Sequence, residues 1–287
     1  MATDTARRRR LDLCDPATAR AVARRAGLGL QRRLGQHLLV DRGALERIVE
    51  ALGPEAADEV LEIGPGIGTL TVELAARARR VVAVELDEAC LRATAITLRD
   101  HPNATVVHAD AARVDSASLG LGPGHLAAGN IPYSITGVLI NHLFETDRPP
   151  RRAVFLVQRE VAARLAAPPG DWSLATVAVR SQATVERLGD VPPSSFVPPP
   201  AVHSGIIRLR PVAGLDPAER SAVLRLARAA FQLRRKVLRH GVTRAVGEEA
   251  AAMTALAAVG IDPARRPGTL DLDEWRALAR AVAVVAP

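Results

Sequence analysis

Short β-branched runs alternate with apolar residues at helical spacing through the first half of the chain. Ala44, Leu45, Ile48, Val49 and Leu52 recur with the helical period, and Gly53-Pro54 stops that helix. Val60-Leu61-Glu62-Ile63 is a short buried strand ending at glycine, with a helix expected over 70–78. Val81-Val82-Ala83-Val84-Glu85 predicts a second strand and 87–99 a helix. Thr105-Val106-Val107-His108 predicts a third strand, His125 to Ala128 a fourth and Ala153 to Val157 a fifth, with helices over 138–144 and 161–166. Strands and helices alternating at this interval imply a parallel sheet covered by helices on both faces. The rhythm then changes. Two longer strands are expected over 174–188, through Thr176-Val177-Ala178-Val179, and over 201–209, through Gly205 to Leu209, with the turn-rich stretch 191–200 between them. Beyond Pro211 the pattern is helical, with Gly241 and Gly260-Ile261-Asp262-Pro263 as breaks. The expected division is a basic N-terminal extension over 1–27 (a short helix or a loose tail), an α/β domain over 28–211 and a small all-helical domain over 212–287.

Composition adds a partner class to this frame. Hydrophobic residues are 48% and charged residues 24% of 287, enough for a sizeable core and too apolar for whole-chain disorder. The net charge is +7 and Lys236 is the only lysine, so arginine carries the excess. Arginine suits bidentate phosphate contacts, and the balance points to a polyanionic partner. Cys14 and Cys90 show no metal-ligand spacing, so no metal site and a reducing compartment are expected. Arg7 to Arg10 precede no apolar run, and no stretch approaches the roughly 18 apolar residues of a membrane helix. A soluble cytoplasmic protein without a membrane partner is the expectation.

Candidate chemistry begins at Glu62-Ile63-Gly64-Pro65-Gly66-Ile67-Gly68, between a strand and a helix. Gly64 and Gly66 let the backbone turn sharply and let a ligand approach without meeting a Cβ. The helix start near Thr69 offers free N–H groups to an anionic group. Glu85 ends the second strand, where a carboxylate can accept both hydroxyls of a ribose. These features alone fit a nicotinamide oxidoreductase as well as a methyltransferase. Asp110 ends the third strand; its carboxylate can take a hydrogen from an adenine amine, or it can cap the turn at Ala111.

Asn130-Ile131-Pro132-Tyr133 follows the fourth strand and gives the oxidoreductase reading nothing to do. A sulfonium methyl donor already has a good leaving group, so the difficulty lies with the nucleophile. The lone pair of adenine N6 is delocalised into the ring. Two acceptors aimed at that amine favour tetrahedral geometry and free the lone pair. The Asn130 side-chain carbonyl can be one acceptor and a backbone carbonyl of Ile131-Pro132 the other, with proline holding the chain extended. Tyr133, the only tyrosine, can stack on a flipped-out base, worth about 1–3 kcal/mol. An ordinary Asn-Pro turn with a core tyrosine is the plainer alternative.

With those residues in place the chain resembles the ribosomal RNA adenine dimethylases, most closely their small-subunit branch. The resemblance rests on Leu34 to Leu39, Glu62 to Gly68, Glu85, Asp110, Asn130 to Tyr133, Val157 to Val161, Pro192 to Pro200, Phe231 with Arg234-Arg235-Lys236, and Gly260 to Pro263, in family order from about 31 to 280. It implies a doubly wound, seven-stranded, Rossmann-like methyltransferase sheet with a small helical C-terminal domain. It implies S-adenosylmethionine as cofactor, held at His37, Leu39, Gly64, Glu85, Asp110 and Asn130, with Gln36 to Leu39 closing over it; Gly66 of the same turn is a further cofactor-binding candidate. It also implies a substrate of two adjacent adenines near the small-subunit rRNA 3′ end, each dimethylated. A monomer is expected. The chain departs from the family pattern in His37, where asparagine is common, in Leu38, where phenylalanine is common, in Ser134-Ile135-Thr136, and in Asp171-Trp172.

For RNA contact the candidates are Arg234, Arg235, Lys236 and Arg239, within two turns of a predicted helix, joined by Arg32, Arg33 and Arg7 to Arg10. Trp172, Trp275 and Phe196 are expected to pack in the core. Two readings stand beside the small-subunit enzyme. One is a large-subunit adenine methylase of the macrolide-resistance kind. The other is a non-catalytic ribosome-assembly factor that binds RNA.

Overall fold

A computed structural model describes residues 11–29, 37–132, 135–212, 215–233 and 236–285. Tyr133, Arg234 and Arg235, with Arg7 to Arg10, Arg32, Arg33 and Gln36, lie outside the described residues. In chain order the elements are α1 (Pro16–Arg25), β1 (Leu38–Leu39), α2 (Arg42–Leu52), β2 (Glu59–Ile63), α3 (Thr69–Ala75), β3 (Arg80–Glu85), α4 (Glu88–Thr97), β4 (Ala104–His108), β5 (Leu126–Asn130), α5 (Thr136–Phe144), β6 (Arg152–Gln158), α6 (Arg159–Ala166) and α7 (Leu174–Arg180). They continue as β7 (Ala183–Val191), β8 (Phe196–Val197), β9 (Ser204–Pro211), α8 (Pro217–Gln232), α9 (Leu238–Val246), α10 (Glu249–Ala258) and α11 (Leu272–Val285).

The main sheet has seven strands in the order β4-β3-β2-β5-β6-β9-β7. The first five are parallel, and β9 and β7 join antiparallel. β2, β3, β5 and β6 are buried on both faces because helices cover both, whereas the edge strand β4 is only partly buried. In β6, Phe155 and Val157 pack with Leu139 and Ile140 of α5 and Val161 of α6. Its alternate residues Val154 and Leu156 pack with Leu45 and Ile48 of α2 and Leu74 of α3. α1 joins the same fold: Ala19, Val22 and Ala23 pack with Ala89, Cys90 and Ala93 of α4. Asp15 caps α1, its carboxylate accepting the N–H groups of Ala17 and Thr18.

The C-terminal helices α8 to α11 enclose a second core around Trp275, Leu238, Val242, Leu256 and Leu278, and Trp172 and Val177 reach into it. Trp172, Trp275 and Phe196 are buried, as a packing role requires.

Two sequence expectations are corrected. Thr176-Val177-Ala178-Val179 is helical within α7, and the strand begins only at Ala183. The reason is local. Ser173 Oγ accepts the Thr176 N–H at 3.2 Å while Thr176 Oγ1 accepts the Ser173 N–H at 3.2 Å, a capping box that outweighs the β-branched composition. Gly241 is no break: it sits inside α9, where a Cβ would lie 2.5 Å from Ala230 Cα. The glycine lets α8 and α9 pack closely, and the helix instead ends at Gly247 with φ +94°.

Candidate active site

A cavity of about 380 Å³ opens at the carboxyl ends of β2, β3 and β5. His37, Leu39, Gly64, Gly66, Glu85, Asn130 and Pro132 all line it. Open α/β sheets bind ligands at this edge, where the strand order reverses. The reversal here lies between β2 and β5, adjacent in space although β3 and β4 intervene in sequence.

The loop from Gly64 to Gly68 turns through three left-handed glycines, at φ +67°, +59° and +88°. A side chain at any of them is strained by roughly 1–2 kcal/mol. The turn is tied down where Gly64 N–H donates to Val84 O and Gly68 N–H to Pro65 O. Leu38 Cδ2 lies 3.4 Å from where a Gly66 Cβ would be, so β1 covers the loop closely.

Glu85 is anchored rather than swinging: its Oε1 accepts the N–H groups of Leu86 at 2.8 Å and Asp87 at 2.9 Å. Burial raises its pKa above the usual carboxylate value, and these backbone donors offset part of that rise. Leu86 beside it is 65% exposed yet lines the cavity, an apolar surface that no described residue covers on its outer side.

Glu62 is the residue that sequence reasoning passed over, naming it only as part of the glycine segment. It is 1% exposed, lies between Ala83 and Ala128 of the neighbouring strands, and lines the cavity. Its Oε2 has no hydrogen-bond partner among the described residues. Burial pushes its pKa up to about 8, with the nearby Glu85 charge adding to the rise and the Thr71 hydroxyl opposing it. The signal was available: a carboxylate inside a four-residue apolar strand is costly unless something pairs with it.

Asn130 ends β5, and its Nδ2 donates to His37 O at 2.9 Å. A carbonyl oxygen only accepts, so this bond fixes the amide's orientation and assigns Oδ1 as the end left to accept from a ligand. Ile131 is buried in the core, with its N–H bonded to Leu156 O. Pro132 O accepts the Ile135 N–H at 3.2 Å, whereas no bond to Ile131 O is made among the described residues.

β1 is held from the other side. Leu38 and Leu39 pair antiparallel with Val197 and Phe196, Val40 N–H donates to Ser195 O, and Ser195 Oγ donates to Asp41 Oδ2 at 2.6 Å. The turn-rich stretch 191–200 is thus the backing of the strap over the cavity.

Asp110 stands apart. It does not line the cavity; its Oδ1 accepts the Ala112 N–H at 2.9 Å and its Oδ2 lies 3.4 Å from Arg113 Nε. That is the capping geometry, the plainer of the two readings of its sequence position, rather than the favoured ligand contact. Lys236 and Arg239 are exposed, but not on one continuous helix as expected. α8 ends at Gln232 and α9 begins at Leu238, because Leu238 N–H bonds to Arg265 O and Arg239 N–H to Pro263 O. Among the described residues no cluster of three His, Cys, Asp or Glu side chains is placed to hold a metal ion, and no helix is long and apolar enough to cross a membrane.

Comparison with known proteins agrees with this geometry along nearly the whole chain. The family model described as ribosomal RNA adenine dimethylase matches residues 28–280. The ribosomal RNA small subunit methyltransferase A of Anaeromyxobacter dehalogenans strain 2CP-C is 42% identical over 280 residues, covering 92% of this chain and 97% of that protein. The protein of the same name from Geobacillus thermodenitrificans is 36% identical over 287 residues, covering 94% and 97%. Among solved structures, a dimethyladenosine transferase from Plasmodium falciparum superposes with a TM-score of 0.71 at 26% identity, covering 84% of this chain and 96% of that one. The 23S rRNA methyltransferase ErmE superposes with a TM-score of 0.69 at 28% identity, covering 85% and 99%. A glycine-lined cavity at the sheet's switch point, an amide aimed into it and a match spanning residues 28–280 together make this chain a member of the ribosomal RNA adenine dimethylase family.

Proposed function

We propose that this protein transfers methyl groups from S-adenosylmethionine to N6 of adenine in small-subunit rRNA, dimethylating two adjacent adenines near the 3′ end. The observation that carries the reading is the fixed Asn130 amide in the cavity, with the Ile131 carbonyl next to it in the chain.

The residues present fit the cofactor. Glu85 keeps Oε2 beyond its two Oε1 bonds for ribose hydroxyls, Leu38, Ile67 and Leu86 offer apolar surface to an adenine ring, and the unpartnered Glu62 Oε2 suits an ammonium. When bound, that cofactor supplies an electrophilic methyl group on a cationic sulfur. The chain then needs no acid at the leaving group. In the first transfer Asn130 Oδ1 and Ile131 O accept the two N6 hydrogens and draw the amine toward tetrahedral geometry; in the second, one of them accepts the single remaining hydrogen, and each transfer releases one N6 proton to solvent. Pro132 holds the segment extended and Tyr133 stacks on the base. Most of the rate comes from this positioning. His37, Leu39, Gly64 and Gly66 complete the cofactor site, and Asp110 serves it through the turn that it caps.

Arg234, Arg235, Lys236 and Arg239 contact phosphates at the junction of α8 and α9. The working units are residues 1–27, 28–211 and 212–287, although α1 packs on the sheet domain and Trp172 and Val177 on the helical one. The enzyme acts as a monomer in the cytoplasm, on small-subunit particles. The large-subunit reading draws on the likeness to ErmE, but the relatives at 42% and 36% identity carry the small-subunit name. A non-catalytic role leaves the oriented Asn130 amide unexplained.

The test is methyl transfer from labelled S-adenosylmethionine to small subunits lacking this dimethylation, beside protein-free large-subunit rRNA. N6,N6-dimethyladenosine in the small subunit alone is expected. Label confined to large-subunit rRNA, or none in either despite cofactor binding, overturns the reading.

A further inference from the structure

The Asn130 amide has its donor end fixed by one bond only among those described, and that bond goes to a backbone carbonyl, His37 O. What holds the carbonyl in place therefore decides where Oδ1 points. His37 lies one residue before the β1–β8 pairing, so the ladder that secures Leu38 and Leu39 does not itself cover it. Its own side chain extends the ladder by one rung: Nδ1 lies 2.7 Å from Pro198 O, the residue following Val197. Because that oxygen only accepts, Nδ1 carries the proton and donates. A continuous path then runs from Pro198 O through the His37 ring and backbone to the Asn130 amide.

We propose that His37 is a positioning residue for methyl transfer: its imidazole N–H, by clamping the strap to Pro198 O, aims Asn130 Oδ1 at the adenine amine. This rests on the adenine-N6 reading above, and goes beyond assigning His37 to the cofactor. The Nδ1 proton is held in this bond, so the ring need exchange no proton with the substrate. A misplacement of about 1 Å in a reacting pair costs up to ~10²-fold in rate, so the loss of one such clamp is visible in turnover.

The test compares His37→Leu, which fills the space without a donor, with His37→Asn, whose amide nitrogen sits close to the Nδ1 position. In the full-length enzyme, His37→Leu is expected to lower kcat by about 10-fold or more, with a smaller change in KM for S-adenosylmethionine. His37→Asn is expected to recover most of that loss with an unchanged pH profile. An independent readout needs no turnover. The chain has three asparagines, Asn103, Asn130 and Asn141, so selective ¹⁵N labelling resolves the Asn130 side-chain amide. Its exchange with solvent should be slow in the wild type and His37→Asn, and faster in His37→Leu. Wild-type kcat with unchanged amide exchange in His37→Leu overturns the proposal. So does a His37→Asn variant as impaired as His37→Leu that also loses a limb of the pH profile, since the ring itself then does the chemistry. A wild type that methylates no adenine, with the amide exchange pattern as expected, overturns the functional reading and leaves the clamp standing.

Discussion

The two ends of the same parallel strands are built on opposite rules. At the amino ends most charges find partners in this chain, although His125 Nε2 and Arg152 Nε are buried without one among the described residues. Arg151 grips both oxygens of Asp58 at 2.7 Å, Arg79 and Arg80 reach Glu59, Arg152 donates to Leu52 O, and on the antiparallel strands beside them Arg208 pairs with Glu186 at 2.6 Å. At the carboxyl ends the bonding is left incomplete. Three glycines hold left-handed turns, Glu62 is buried with an oxygen unmatched among the described residues, Leu86 is 65% exposed, and Asn130 has one end of its amide committed. A core tolerates unmet polar groups only where something else supplies the match. The unmet groups that border the candidate site's cavity, Glu62 Oε2 and Thr69 Oγ1, are at the carboxyl ends.

The largest expected break in that contrast is Asn130→Ala. It removes the acceptor and should lower kcat by about 10²–10³-fold or more, while the dissociation constant for S-adenosylmethionine changes far less. Single-turnover methylation beside calorimetric titration separates the two quantities. Near-normal turnover is incompatible with the acceptor mechanism.

Glu62 gives a smaller effect with a definite sign. Its folded-state pKa of about 8 lies above the ordinary 4.5, so the fold favours the protonated form. The stability this group contributes is fully present below about pH 4.5 and is lost as pH rises through 8. Glu62→Gln keeps the shape and cannot ionise. Without cofactor, it should match the wild type in melting temperature near pH 5 and exceed it increasingly toward pH 9. Parallel melting curves for the two proteins across that range contradict the assignment.

The smallest effect is expected at the opposite edge. Arg151 is about 40% exposed at its side chain, and solvent screens its pair with Asp58. Arg151→Ala should cost no more than about 1 kcal/mol in urea unfolding and leave methylation unchanged. A loss of activity there would mean that both ends of the sheet serve the reaction.

The sheet was legible because parallel strands buried on both faces leave continuous apolar runs, as in Val81 to Val84 and Ala153 to Val157. The glycine turn, Glu85 and Asn130 were legible because each has a residue type few other roles require. α7 was not, since the capping box between Ser173 and Thr176 is a local bond that β-branched composition hides. Gly241 misled for a related reason: a helix-packing glycine and a helix-ending glycine read alike until Ala230 is known to lie against it. Glu62 was visible but unweighted, and the His37 clamp depends on Pro198, 161 residues away, which spacing along the chain cannot reveal.

The contrast between the two ends is tested most directly by amide hydrogen exchange of the whole protein with and without S-adenosylmethionine. Protection should rise at 37–39, 62–68, 85–87 and 130–131, and stay unchanged at 58–59, 151–152 and 208–210. Protection gained at the arginine-rich edge, or absent from the glycine turn and β1, would contradict the placement of the working site.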